Sequence, residues 1–315
     1  MQMLNNILGE ASRIAIGGHV RPDGDCVGSC MGLYQYLKEN YKDRRIDVYL
    51  EEIPQAYRCI EATKDIKHEL PENTKYDLFI CLDCGDKERL GFSALLLEQA
   101  VRTCCIDHHI SNTEFADFNY IVPDASSTSE LIYNLLDEEK ITLGVAEALY
   151  LGIVHDTGVF QYSCTAPETM EAAANLMRKG INASEIIEKT FYEKTFAQNQ
   201  ILGRALFESF LFMDGKCIVS YITQRMMEFH GVTPKDLEGI VSQLRVTKGV
   251  EVAVLLYETA PHEYKVSLRA SGDVDVSRIA QYFGGGGHKK AAGVTMKGTV
   301  HDVINNLSGQ IHLQL

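Results

Sequence analysis

The sequence has no apolar run that approaches the length of a bilayer span, which argues against a membrane-crossing helix. Its opening residues, MQMLNNILGEASR, lack the basic stretch and apolar core of a secretion signal. A cytoplasmic protein with no membrane partner is expected. Proline is scarce, at 7 residues, and there is no low-complexity tract; hydrophobic residues make up 45% and charged residues 23% of the chain. That composition excludes a disordered protein and fits a globular one. Basic residues are also short, at 30 against 43 acidic ones, for a formal net charge of -13, and their densest cluster is YKDRR at 41–45. A long nucleic-acid duplex needs a broad basic footprint and is not an expected partner. Any anionic substrate is short and held by local charges.

The 9 cysteines are scattered, and only Cys81 and Cys84 have C-x-x-C spacing, with no second pair to follow. A zinc ribbon or redox centre is therefore not expected. Several cysteines fall in apolar, strand-like runs, where they read as reduced, buried thiols.

At 315 residues the chain is long enough for two domains of unequal size. In its first half RIAIGG (13–18), IDVYL (46–50), DLFICLD (77–83) and VRTCCID (101–107) have the unalternating apolar character of strands buried on both faces. Helical patterns at 28–40 and 92–100 lie between them, which predicts a mainly parallel α/β sheet flanked by helices. From about 125 the pattern becomes helical, with Ser127 and Glu130 spaced as a capping box. Strand patterns return at 216–223, 250–258 and 263–271, followed by FGGGGHKKAAG at 283–293. A smaller α/β domain is expected there. The boundaries expected are 1–190 and 206–315, joined by a connecting helix over 191–205, where glycine and proline are absent until Gly203.

In open α/β sheets, ligand-binding residues gather beyond the carboxyl ends of the strands. Four sets of ionisable residues fall at such ends or at a helix-to-loop break: His19, Asp23 and Asp25; Asp83; Asp107, His108 and His109; and Asp156. Parallel neighbouring strands would bring them to one edge. Four carboxylates in one cleft repel, and two divalent cations would balance Asp23, Asp25, Asp83 and Asp156, with His19 and His108 as neutral imidazole ligands. Oxygen and imidazole donors without thiolate suit Mn²⁺ or a similar first-row ion. Two such ions share a bridging water and steady the oxygens of a phosphoryl displacement. Taken alone, each set has a plainer explanation: a solvated loop with Asp25 capping a helix, Asp83 ending a strand, His109 satisfied in a core.

Four segments, GGHVRPDGDCVGS, CLDCGD, CIDHHISN and GIVHDTGVFQY, resemble the successive motifs of the DHH phosphoesterase superfamily, and RASGDVDVSRIAQYFGGGGHKKAAG resembles its DHHA1 substrate-binding domain. The resemblance implies a dinuclear phosphoesterase that uses two Mn²⁺, with Mg²⁺ or Co²⁺ as alternatives, and an active site in the cleft between the domains. Carried over, it implies His19, Asp23 and Asp83 on one ion and Asp25, Asp83, His108 and Asp156 on the other, Asp83 bridging. His109 would act at the scissile phosphate and Asp107 would orient the imidazoles. Cys26 is left to packing. In the second domain Arg269, Ser271, Gly286, Gly287 and His288 would hold the nucleotide's terminal phosphate or base, with Arg245 a weaker candidate. The GGGGHKK stretch is no P-loop, since its lysines precede no Ser or Thr.

Length and domain content favour the nanoRNase/pAp phosphatase group, which hydrolyses short oligoribonucleotides to mononucleotides and dephosphorylates adenosine 3′,5′-bisphosphate (pAp). The chain has no oligonucleotide-binding fold of the RecJ type, and its first proposed ligand lies only 18 residues from the start, without room for a membrane anchor and sensor. Linear or cyclic signalling dinucleotides remain the alternative substrates, and a nucleotide sensor without turnover the alternative class. An intact set of metal ligands argues against the sensor. The oligomeric state stays open, a homodimer included.

Overall fold

The computed structural model describes residues 2–70 and 75–315. The chain divides into two compact units, Met1–Glu193 and Lys194–Leu315.

In the first unit five parallel strands, β1 (Arg13–Gly17), β2 (Arg45–Tyr49), β3 (Leu78–Leu82), β4 (Arg102–Asp107) and β5 (Phe118–Ile121), take the order β2-β1-β3-β4-β5. Pairing is in register, Ile14 opposite Ile46 and Leu78, and Cys81 opposite Cys105. Successive side chains point to opposite faces. Ile14, Ile16, Leu78, Ile80, Leu82 and Ile106 pack with the helices Gly24–Asn40, Thr128–Leu135 and Leu143–Asp156, while Ala15, Tyr49, Phe79, Cys81 and Cys105 pack with Leu90 and Leu96. Both faces are covered, which is why these runs show no polar alternation. Connections from β1 lead to β2 on one side and onward to β3 on the other, so the order reverses between β1 and β3. Ligands of open α/β sheets bind at such a reversal.

Two of the first unit's helices make an unusually close crossing. A Cβ on Gly28 would lie 2.6 Å from the Ala148 carbonyl oxygen and 2.7 Å from the Gly152 nitrogen, so only glycine allows this approach. The crossing sets the start of the helix Gly24–Asn40 against the end of the helix Leu143–Asp156.

The second unit holds a mixed sheet of β6 (Phe210–Phe212), β7 (Cys217–Ile222), β8 (Val252–Ala260), β9 (Glu263–Ala270), β10 (Gly286–His288) and β11 (Ala291–Lys297), ordered β10-β11-β9-β8-β7-β6, with only β7 and β8 parallel. One face packs on the helices Val276–Tyr282 and Val300–His312; the other, at β7 and β8, packs on Phe196–Phe207, Gln224–His230 and Ile240–Arg245.

Several sequence expectations shift. A helix expected over 191–205 is broken: a π-helical turn, Glu188–Tyr192, ends in the first unit, and a new helix starts at Phe196 in the second. The break is chemical. Thr195 Oγ1 accepts from the Gln198 amide at 3.2 Å and Gln198 Oε1 accepts from the Thr195 amide at 2.9 Å, a capping box that starts a helix afresh. Ser127 caps its helix as expected, accepting from the Glu130 amide at 3.0 Å, but the Glu130 carboxylate binds Ser126 and Thr169 instead of completing the box. The glycine-rich stretch 283–293 forms a hairpin, β10 and β11, around Lys289 and Lys290. No helix of the described residues is long and apolar enough to cross a membrane.

Candidate metal centre and active site

Beyond β1 the chain turns through Gly18 and His19 to Asp23, which caps the helix Gly24–Asn40 by accepting from the Cys26 amide at 3.1 Å. The N-cap is thus Asp23 and not Asp25, which lies fully buried in the first turn. Both Asp25 oxygens are held at the start of a second helix, by the Thr128 amide at 2.7 Å and the Ser129 amide at 2.9 Å. Asp83 follows β3 with left-handed backbone, φ 54°, a conformation that costs an L residue about 1–2 kcal/mol. It stands at the β1/β3 reversal beside His19. Asp107 ends β4 and carries His108 and His109 beyond the strand end, and Asp156 ends the helix that crosses at Gly28.

These residues converge. His19 Nε2 lies 3.5 Å from Asp23 and 3.4 Å from Asp83 Oδ2. His108 Nε2 lies 3.0 Å from Asp156, 3.7 Å from Asp83 Oδ1 and 3.9 Å from Asp25. The Asp83 carboxylate therefore has one oxygen turned to each histidine. His19 Nδ1 lies 2.8 Å from the Val20 carbonyl oxygen and His108 Nδ1 3.3 Å from the Ala125 carbonyl oxygen, which turns each Nε2 toward the carboxylates. A metal-ligating imidazole is oriented in this way, with its other nitrogen on a backbone carbonyl.

Left to itself the cluster gathers protons. Burial, helped by neighbouring Asp83, pushes Asp25 up to about 7, and burial with Asp25 pushes Asp156 up to about 6. Burial opposes charge on the imidazoles, but Cys26, Asp23 and Asp83 raise His19 to about 12, and Asp156, Asp25 and Asp83 raise His108 to about 10. A set of buried anions that pulls protons onto its histidines has the charge and the donor atoms for divalent cations. Three groups among the described residues have the necessary closeness, Asp25–His108–Asp156, Asp83–His108–His109 and His19–Cys26–Asp83, each with donor atoms within 4.8 Å of one another.

His109 stands apart in its bonding. Its Nδ1 donates to Asp107 at 2.7 Å, a bond that raises its pKa, and Asn112 Nδ2 braces the other Asp107 oxygen at 2.6 Å. The Asn112–Asp107–His109 chain fixes the ring. Asn112 was legible only as part of CIDHHISN and had no role in the sequence. Arg89 was likewise missed: its Nη2 lies 3.3 Å from His19 Nδ1, and among the described residues it forms no ion pair. His155, beside Asp156, is instead a structural histidine, 3.0 Å from Thr190 Oγ1 and lowered to about 4 by burial.

In the second unit Arg269, Ala291 and His288 are register partners across β9, β11 and β10, with Ser267, Gly293 and Gly286 in the next row of the same face. Leu268 and Ala292 point the other way, into the core. A guanidinium and an imidazole thus flank a shelf without large side chains. Ser271 Oγ lies 3.5 Å from the Arg245 carbonyl oxygen, which puts the backbone of the two expected contacts together. The glycines divide by role. A Cβ on Gly287, at φ 144°, would sit 2.5 Å from the Ala291 oxygen, so β10 needs glycine there, whereas a Cβ on Gly286 would meet nothing within 4 Å.

A buried carboxylate and imidazole centre at the switch point of a parallel sheet, followed by a mixed-sheet domain, has the donor set that could hold metal ions. Residues 13–153 match the DHH family, N-terminal domain, and residues 214–312 match the DHHA1 domain. The chain belongs to this DHH family of phosphoesterases, and it is a hydrolase of phosphoester bonds. It is similar to the bifunctional oligoribonuclease and PAP phosphatase NrnA of Thermus thermophilus, at 27% identity over 90% of this chain and 84% of that one. The protein of the same name from Bacillus subtilis is 27% identical over 90% of this chain and 89% of that one. Among solved structures, an exopolyphosphatase-related protein from Bacteroides fragilis superposes with a TM-score of 0.90 at 26% identity, covering 99% of this chain and 95% of that one. Exonuclease RecJ bound to manganese shares the fold, with a TM-score of 0.54 at 15% identity, covering 99% and 93% of the two chains.

Proposed function

We propose that the protein is a Mn²⁺-dependent phosphoesterase that hydrolyses oligoribonucleotides of a few nucleotides to mononucleotides and converts pAp to AMP. The observation that carries this is the Asp83 carboxylate, with one oxygen 3.4 Å from His19 Nε2 and the other 3.7 Å from His108 Nε2, so that it could serve both halves of a metal centre. His19, Asp23 and Asp83 would hold one ion; Asp25, Asp83, His108 and Asp156 the other. When bound, the pair supplies an acidified water and countercharge for the phosphoryl group. The names of the relatives from Thermus thermophilus and Bacillus subtilis support the choice of substrates.

The chain's own residues do the rest. His109, held by Asp107 through Nδ1, keeps a proton at Nε2 and delivers it to the ribose oxygen as the phosphorus–oxygen bond breaks and water's oxygen joins phosphorus. Arg269 and His288, with Ser271, Arg245 and the Gly286 and Gly287 backbone, bind the substrate's anionic end or base. The test sets purified protein, with Mn²⁺ and after chelation, on pAp, di-, penta- and long oligoribonucleotides, a cyclic dinucleotide and pyrophosphate side by side. Expected is Mn²⁺-dependent turnover of pAp and the shortest RNAs. Preference for pyrophosphate or for the cyclic dinucleotide would overturn the assignment.

A further inference from the structure

The two halves of the centre differ in chemistry. The Asp25–His108–Asp156 group offers oxygen and nitrogen alone, but the His19–Asp83 group includes the Cys26 thiol, and all three of its members are buried. Cys26 follows Asp25 in the first turn of the helix Gly24–Asn40. Its Sγ packs under the loop that carries His19, so close that a Cβ on Gly18 would lie 2.3 Å from it, and it lies 4.0 Å from the His19 carbonyl oxygen. Packing alone explains a small buried side chain there. It does not explain why sulfur should share a 4.8 Å neighbourhood with a ring nitrogen of His19 and an oxygen of Asp83.

We propose that Cys26 is a further ligand beside His19, Asp23 and Asp83, specific to thiophilic divalent cations, at the His19–Asp83 half of the centre. This rests on the metal centre proposed above and extends it. Hard ions such as Mn²⁺ and Mg²⁺ are satisfied by the carboxylates and imidazole, whereas Zn²⁺, Cd²⁺ and Co²⁺ gain from a thiolate. As such an ion binds, the sulfur–metal bond forms and the thiol proton leaves to solvent. In the metal-free fold burial and a hydrogen bond to Cys30 hold the Cys26 thiol protonated, so only an ion that binds sulfur strongly displaces that proton. The protein therefore exchanges its working ion for a soft one such as Cd²⁺ at one half only, and loses activity in doing so.

Cobalt reports both events at once. Co²⁺ added to the metal-depleted full-length protein is expected to give visible d–d bands and, from sulfur, a near-ultraviolet charge-transfer band. Cys26→Ala and the isosteric Cys26→Ser should keep the d–d bands and lose the charge-transfer band; Cys30→Ala should keep both. In parallel, the Cd²⁺ concentration that halves Mn²⁺-supported hydrolysis should rise by at least about tenfold in Cys26→Ser, the scale on which even a ligand's hydrogen-bond partner alters affinity. Wild-type d–d bands without charge transfer would overturn ligation by Cys26 and leave the metal centre standing. Charge transfer that persists in both Cys26 variants would assign the sulfur elsewhere and overturn it too. Failure of Co²⁺ to bind at all would overturn the metal centre and this inference together.

Discussion

Gly28→Ala tests how the fold builds the site. The added Cβ would lie 2.6 Å from the Ala148 oxygen, 2.7 Å from the Gly152 nitrogen and 2.8 Å from the Gly152 Cα, where ordinary contact begins at 3.4 Å. All three are backbone atoms of one helix and none can swing aside, so the two helices must part by roughly the missing 0.8 Å. Overpacking of this kind costs about 1–3 kcal/mol. In a unit of this size that is a fall in melting temperature of roughly 2–12 °C. The same displacement exceeds the ~0.5 Å tolerance of a functional constellation. Asp25 lies in the first turn of one of these helices and Asp156 ends the other, so Mn²⁺ affinity should fall with stability. Urea unfolding of the metal-free protein and calorimetric Mn²⁺ titration measure the two losses. Gly203→Ala is the control: nothing lies within 4 Å of that Cβ, mid-helix, so it should gain about 0.4–1 kcal/mol. An unchanged unfolding midpoint and unchanged Mn²⁺ affinity in Gly28→Ala would refute the claim that this crossing sets the site.

Asp83→Asn should abolish hydrolysis of both pAp and dinucleotides, because the lost charge faces His19 and His108 alike; turnover retained on either substrate would count against a shared centre. Gly286→Ala should raise KM for dinucleotides severalfold with kcat, Mn²⁺ binding and melting temperature unchanged, since its Cβ meets only open space; a fall in stability would show the glycine to be structural. Arg89→Ala should likewise weaken substrate binding, its guanidinium lying beside His19 without an ion-pair partner among the described residues, and an unchanged KM would remove it from the site. Metal-free stability should fall as pH rises. Asp25 and Asp156, at about 7 and 6 in the fold against 3.8 for a free carboxyl, keep protons that the unfolded chain has released above about pH 4. His19 and His108, raised to about 12 and 10, add stability that is complete below 6.5 and fades above it, so both effects share a sign. Mn²⁺ should therefore raise the melting temperature more at pH 8 than at pH 6, by differential scanning fluorimetry.

Strands buried on both faces were legible in the sequence because an unbroken apolar run such as LFICL has few other uses. The short edge strands Phe118–Ile121 and Phe210–Phe212 were not, since three or four residues carry no periodicity. The strand at 286–288 was not legible either, because a run of glycines says nothing of what crosses it; the demand that creates Gly287 is the close approach of Ala291 and Ala292. In the site, ionisable residues at strand ends announced themselves by type. Asn112, Arg89 and the Thr128 and Ser129 amides did not, because they act through Asp107, His19 and Asp25, at separations up to 104 residues.

Every carboxylate and imidazole of the proposed centre belongs to the first unit, between His19 and Asp156, which also has its own core. Inheritance of the reaction and inheritance of the substrate are thereby separable. If the second sheet holds the substrate as proposed, mutations there can drift, retuning which phosphoester is accepted, without touching the apparatus that cleaves it. Such a chain can acquire a new diet while its chemistry stands still.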